Sequence, residues 1–129
     1  MEKPHTAPVA KQVVLVIDDY PLVLSSLKFS LEVEGFIVRA YSGPYEFLNE
    51  TDLPAKGCLL VDYYMPEMNG LELLARLRDR GVSMPAMVIT GFVNDTLRDR
   101  LGAAGMPLME KPFLPRVWTE RIRDAFHSS

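Results

Sequence analysis

Val13-Val14-Leu15-Val16-Ile17-Asp18-Asp19 sets five apolar residues, four of them β-branched, directly before a pair of acids. An unbroken apolar run suits a strand whose two faces are both covered, as in a parallel sheet between helices. The pattern recurs outward from this stretch. Pro21 fits the first turn of a helix, where its missing N–H has no partner to lose. Leu24, Leu27 and Leu31 follow at helical spacing, and Gly35 stops the helix. Phe36 to Ala40 reads as a second strand, and Ser42-Gly43-Pro44 opens a short helix towards Glu50. Cys58-Leu59-Leu60-Val61 is a third strand ending on another acid, Asp62, before a turn-rich loop from Tyr63 to Gly70. Leu71, Leu74 and Leu77 mark a helix closed by Gly81. Pro85 to Ile89 is a fourth strand, ended by Thr90-Gly91. A fourth helix runs from about Asn94 to Ala104, with sparse apolar periodicity and an internal Gly102. Pro107 to Glu110 is a fifth strand before Lys111-Pro112, and Trp118, Ile122 and Ala125 line one face of a final helix.

Five strands alternating with five helices predict an α/β fold: a parallel sheet covered on both sides. Right-handed crossovers leave few topologies, and the doubly wound order 2-1-3-4-5 is the expected one. The 129 residues fit one domain, taken as 11–127, behind a loose tail at 1–10 that carries Pro4 and Pro8. A composition of 48% apolar and 24% charged residues is that of a globular protein, and a net charge of −3 gives no bulk attraction for nucleic acid. One cysteine, Cys58, excludes an internal disulfide. No apolar run approaches the roughly 20 residues of a membrane helix, and the N-terminus lacks the apolar core of a secretory signal. A cytoplasmic protein is expected.

In open sheets of this kind, ligands bind beyond the carboxyl ends of the strands, where the strand order reverses. That point lies between the first and third strands, which end in Asp18-Asp19 and Asp62. Thr90 ends the fourth strand and Lys111 follows the fifth, so five polar residues should converge on one crevice. Three carboxylates there repel one another, and a hard cation relieves the repulsion. Oxygen donors without histidine or cysteine nearby favour Mg²⁺, which keeps waters and binds phosphate oxygens. A carboxylate can attack phosphorus to give an aspartyl phosphate. Lys111 and the Thr90 hydroxyl could then neutralise and orient the transferred group. Taken singly, the residues have plainer roles: an acid pair as a helix cap, Lys-Pro as a surface turn, Thr-Gly as a loop start. Their succession at strand ends is harder to assign that way.

At these residues, from about Lys11 to Phe126, the chain resembles the response-regulator receiver family. The resemblance rests on Val14 to Asp19, on Leu60-Val61-Asp62-Tyr63-Tyr64-Met65-Pro66-Glu67-Met68-Asn69-Gly70-Leu71-Glu72-Leu73, on Met87 to Gly91 and on Glu110-Lys111-Pro112-Phe113. Ile89-Thr90-Gly91 and Glu110 to Phe113 are similar to the FixJ-type subgroup. The resemblance implies a flavodoxin-like, CheY-like fold and a signalling phosphoacceptor that catalyses only its own phosphorylation and slow dephosphorylation. Asp62 would accept phosphate from a sensor histidine kinase or a histidine phosphotransfer protein. Asp18, Asp19, Asp62 and the backbone carbonyl of Tyr64 would hold Mg²⁺ or Mn²⁺. Lys111 would pair with a phosphoryl oxygen, and its bond to Pro112 would be cis. Thr90 would move to the phosphate and bias the fourth helix. A homodimer through the fourth and fifth helices is a further implication.

Some positions depart from the family pattern. Leu108 stands three before Lys111, where the family carries an aromatic ring, so the usual coupling to the threonine is not expected. Tyr64 and Phe92 follow Asp62 and Thr90 by two residues. Either they flank the phosphoryl group and obstruct hydrolytic water, or they face solvent or a partner. Tyr20 is expected at the surface where the first helix starts. His5 and His127 read as solvated, Trp118 as core, and Arg76, Arg78, Asp79 and Arg80 as a solvated helix face.

Rival functions fit less well. A haloacid-dehalogenase type of enzyme needs a second aspartate where Tyr64 stands. A nucleotide-binding module needs a glycine-rich loop in place of Asp18-Asp19-Tyr20. A degenerate receiver that never takes phosphate would not keep all five site residues, although Leu108 is compatible with one. The termini look natural, so a stand-alone receiver is favoured over one cut from a longer regulator.

Overall fold

The computed structural model describes residues 12–110 and 120–124. Its strands are β1 (Val13–Ile17), β2 (Ile37–Tyr41), β3 (Cys58–Asp62), β4 (Ala86–Thr90) and β5 (Leu108–Glu110). Its helices are α1 (Pro21–Val33), α2 (Pro44–Leu48), α3 (Gly70–Asp79) and α4 (Asp95–Ala103), followed by a helical stretch at 120–124. All strands pair in parallel in the order β2-β1-β3-β4-β5, as the alternation predicted.

Side chains alternate across the sheet, as strand geometry requires. Leu15, Ile17, Leu59, Val61 and Val88 join Phe47 of α2, Leu73, Leu74 and Leu77 of α3, and Leu97 and Leu101 of α4. On the other face Val14, Val16, Leu60, Met87 and Ile89 meet Leu27 and Leu31 of α1 and Ile122. A fully buried side chain of this size contributes about 1.5–3 kcal/mol.

Several element ends differ from the sequence reading, each for a backbone reason. Phe36 precedes β2 because its N–H returns 3.1 Å to Leu31 O while Gly35 N–H bonds Glu32 O, closing α1. This paired closure needs a left-handed residue, supplied by Gly35 at φ 99°. Pro85 and Pro107 lie just outside β4 and β5, having no N–H for the ladder. Their carbonyls still accept from Leu59 (2.8 Å) and Val88 (2.9 Å). α4 has few apolar residues, yet Leu97 and Leu101, one turn apart, are both buried. Asn94 caps it, its side chain accepting from Leu97 N–H at 2.8 Å.

Arg76, Arg78, Asp79 and Arg80 are exposed, as expected. Tyr20 is exposed and stands at the residue before α1, where it makes no side-chain capping bond. The tail at 1–10, Lys111, Pro112, Trp118, Ala125, His5 and His127 lie outside the described residues. Among the described residues no helix is long and apolar enough to cross a membrane.

Candidate functional site

β1 and β3 are neighbours whose chains leave towards opposite faces, α1 onto one and α3 onto the other. That divergence opens a crevice at their carboxyl ends. Asp18 and Asp19 follow β1 directly, and Asp62 is the last residue of β3. Each offers a carboxylate oxygen, and these oxygens all lie within 4.8 Å of one another. Asp18 and Asp62 are buried, while Asp19 is more open.

The backbone holds these acids in place. Asp18 N–H donates to Tyr41 O at 3.1 Å, tying the end of β1 to β2. The Asp18 carboxylate accepts from Tyr20 N–H at 2.9 Å. It makes a tight turn ahead of α1, whose N-terminus has no side-chain cap, so the acid pair is not a helix cap. Beyond Asp62, Tyr63 N–H donates to Ile89 O and Gly70 N–H to Tyr63 O, both at 2.9 Å. The loop from Tyr63 to Gly70 is thereby folded back onto β3. Asn69 and Glu72 close it with a reciprocal capping box at 2.9 and 2.8 Å.

Three carboxylates with no histidine or cysteine among the clustered ligand atoms form a donor set for a hard divalent cation. Burial of Asp18 and Asp62 makes compensation of their charge necessary. The residues present therefore fit Mg²⁺ or Mn²⁺.

Thr90 is buried at the end of β4, and the β3–β4 register sets Ile89 beside Asp62. Its hydroxyl donates to Phe92 O at 3.0 Å and accepts from Phe92 N–H at 3.1 Å. Tyr64 and Phe92 are exposed, on loops leaving β3 and β4, with ring centroids 6.4 Å apart. Each thus faces solvent and also meets the other ring. Leu108 opens β5, half-buried, paired in register with Val88.

Sequence reasoning missed two features here. Gly70 packs against the acceptor strand so closely that an added Cβ would lie 2.8 Å from Asp62 O. Arg100 of α4 also reaches Tyr63 Oη at 3.4 Å. Neither spacing nor composition signals a contact between residues 37 positions apart. Far from the acids, an open cavity of about 490 Å³ lies at the amino ends of β4 and β5, beside Met84, Pro85 and Pro107. It shares no residue with the aspartate cluster.

A family model described as "Response regulator receiver domain" matches residues 14–123. The chain belongs to the response regulator receiver family. Over 111 residues this receiver is 34% identical to the transcriptional regulatory protein FixJ of Rhizobium meliloti (strain 1021), covering 85% of this chain and 54% of that relative. It is 32% identical over 114 residues to the response regulator protein TodT of Pseudomonas putida, covering 88% of this chain and 50% of that relative. The chain thus spans about half the length of these curated relatives. The FixJ-N crystal structure is similar with a TM-score of 0.83 and 33% identity, covering 94% of this chain and 98% of that one. A CheY-like receiver domain protein from Methanospirillum hungatei JF-1 gives a TM-score of 0.81 at 27% identity, covering 92% and 96%. The FixJ-type resemblance and the CheY-like fold are both shown by these matches. Receivers are signalling phosphoacceptors, and the acidic cluster is consistent with that role.

Proposed function

We propose that Asp62 is the phosphoacceptor of this receiver. One of its carboxylate oxygens attacks the phosphorus of a phosphohistidine, on a sensor histidine kinase or a phosphotransfer protein. A P–O bond forms, the P–N bond breaks and the imidazole leaves. Asp18, Asp19, Asp62 and the backbone carbonyl of Tyr64 would hold Mg²⁺ or Mn²⁺, which would supply neutralising charge for the phosphoryl oxygens. Thr90 gives up its bonds to Phe92 and donates its hydroxyl to a phosphoryl oxygen. Lys111 pairs with another. Tyr64 and Phe92 restrict the approach of water to the acyl phosphate. The receiver is assigned to 11–127, with 1–10 as a tail, and acts in the cytoplasm. It passes the signal on by a change of conformation or by pairing with a second copy.

The observation that carries this reading is the meeting of three carboxylates at the strand-order reversal. Incubation with acetyl phosphate and Mg²⁺ followed by intact mass measurement tests it. The wild-type chain gains one phosphoryl group and Asp62→Asn gains none. A gain of equal size in Asp62→Asn would place the chemistry elsewhere.

A further inference from the structure

Helix α1 carries an apolar stripe on the side turned away from the sheet. Its core side is formed by Leu27 and Leu31, both buried. Leu22, Phe29 and Val33 lie on the opposite side, 76%, 69% and 67% exposed. One exposed apolar side chain is common, but three in line on one helix make a patch, and such patches mark contact surfaces. None of the three belongs to the aspartate cluster.

The stripe has a register. Ser26 is also exposed, and positions 22, 26, 29 and 33 repeat at intervals of four, three and four, the spacing of an a/d seam. Laid antiparallel on a second α1, such a seam sets each d residue against an a residue. A two-fold axis passing between Leu27 and Lys28 then places Leu22 against Val33 of the second copy, and Ser26 against Phe29 of the second copy. The outer layers are aliphatic on aliphatic. The inner layers are small against large, so Ser26 leaves room for the Phe29 ring. A face that matches itself in this way meets the requirement of an isologous two-fold interface.

Charge favours the same occupant. Lys28 and Glu32 are the charged residues of α1, and they pair with each other at 2.6 Å beside the stripe. The face therefore has no net charge to repel its own copy, although the chain as a whole carries −3. A strongly acidic or basic partner would find no unpaired opposite charge on it.

We propose that Leu22, Ser26, Phe29 and Val33 form a homodimer surface on which two copies of α1 pair antiparallel. The 13 residues of α1 span about 20 Å at 1.5 Å each. A single helix pair of that length is at the low end of interface size, so the dimer is weak and concentration-dependent. The pairing does not depend on phosphoryl chemistry at Asp62, and it uses α1 instead of the fourth and fifth helices.

Sedimentation equilibrium tests this on the full chain, from about 10 μM to about 1 mM, the range in which so small an interface would fill. The average mass should climb from monomer towards dimer, equally in wild type and in Asp62→Asn. Phe29→Ser should weaken association about tenfold or more. Because that ring is exposed, the denaturant midpoint of the variant should stay close to wild type. Ser26→Phe tests the register: it sets ring against ring and should abolish pairing, although it makes the face more apolar. The exchange variant, Ser26→Phe with Phe29→Ser, again sets small against large and should recover the dimer. A wild-type chain that stays monomeric over the whole range overturns the proposal. So does tighter association of Ser26→Phe, which non-specific apolar contact predicts, or failure of the exchange variant to recover. Association present in wild type but lost in Asp62→Asn would tie pairing to the acidic site and overturn the proposal as well.

Discussion

Tyr64 and Phe92 are large aromatic residues left open to solvent, 46% and 62% exposed, yet turned towards each other. Exposed rings of this size carry a hydration cost, and in the function proposed above they would limit the angles from which water can reach an acyl phosphate on Asp62. Replacing both with alanine should speed loss of the phosphoryl group about tenfold, equivalent to about 1.4 kcal/mol of barrier. Timed intact-mass measurement after removal of acetyl phosphate checks this, and an unchanged rate contradicts it. Cys58 makes the opposite case. Burial within β3 pushes its thiol up to about 12, so it stays protonated across the ordinary pH range. The thiolate is the reactive form. Iodoacetamide at pH 8 should leave Cys58 unmodified in the folded chain and alkylate it readily in denaturant.

Among the elements, the turn from β3 into α3 is the most constrained. Gly70 begins α3 with its backbone against Asp62 O, Val61 Cγ1 and Tyr63 Cα, where an added Cβ would lie at 2.8, 3.2 and 3.3 Å. Two of those three atoms belong to backbone and cannot rotate away. Gly70→Ala should cost about 1–3 kcal/mol by overpacking, read from denaturant unfolding. Because the displaced atoms include those of Asp62, acetyl phosphate labelling should also slow. Stability and labelling both at wild-type levels would show that the strand tolerates the displacement. At the far ends of the helices, α1, α3 and α4 close on Gly35, Gly81 and Gly105, all with positive φ. In each, the residue after the glycine returns its N–H to the helix, at Leu31, Leu77 and Leu101. These closures turn the chain towards the next strand and so position the carboxyl ends that carry the acids.

For the whole molecule, strand order and acid placement were readable from residues alone. Unbroken runs such as Val13–Ile17 and Cys58–Val61 state that both faces are buried, and each ends in aspartate. Right-handed crossovers then leave few topologies, among which the doubly wound order 2-1-3-4-5 is the expected one. Boundaries were less legible, since Phe36, Pro85 and Pro107 look like strand residues until their backbone bonds are known. The fit of Gly70 to Asp62 and the reach of Arg100 to Tyr63 are products of packing, which has no local signature in the chain. The roles of Asp18 and Asp19 depend on the fold too, because an acid pair after a strand suits a cap until the N-terminus of α1 is found to have none.

Phosphorylation mapped against metal concentration tests the central claim most directly. The chain is treated with acetyl phosphate over a Mg²⁺ titration, reduced with borohydride to convert any aspartyl phosphate to homoserine, and sequenced by peptide mass. Conversion confined to Asp62, rising with Mg²⁺ and abolished by chelation, is the expected result. Conversion at another acid, or labelling indifferent to chelator, would contradict a shared cation and phosphoryl site at Asp18, Asp19 and Asp62.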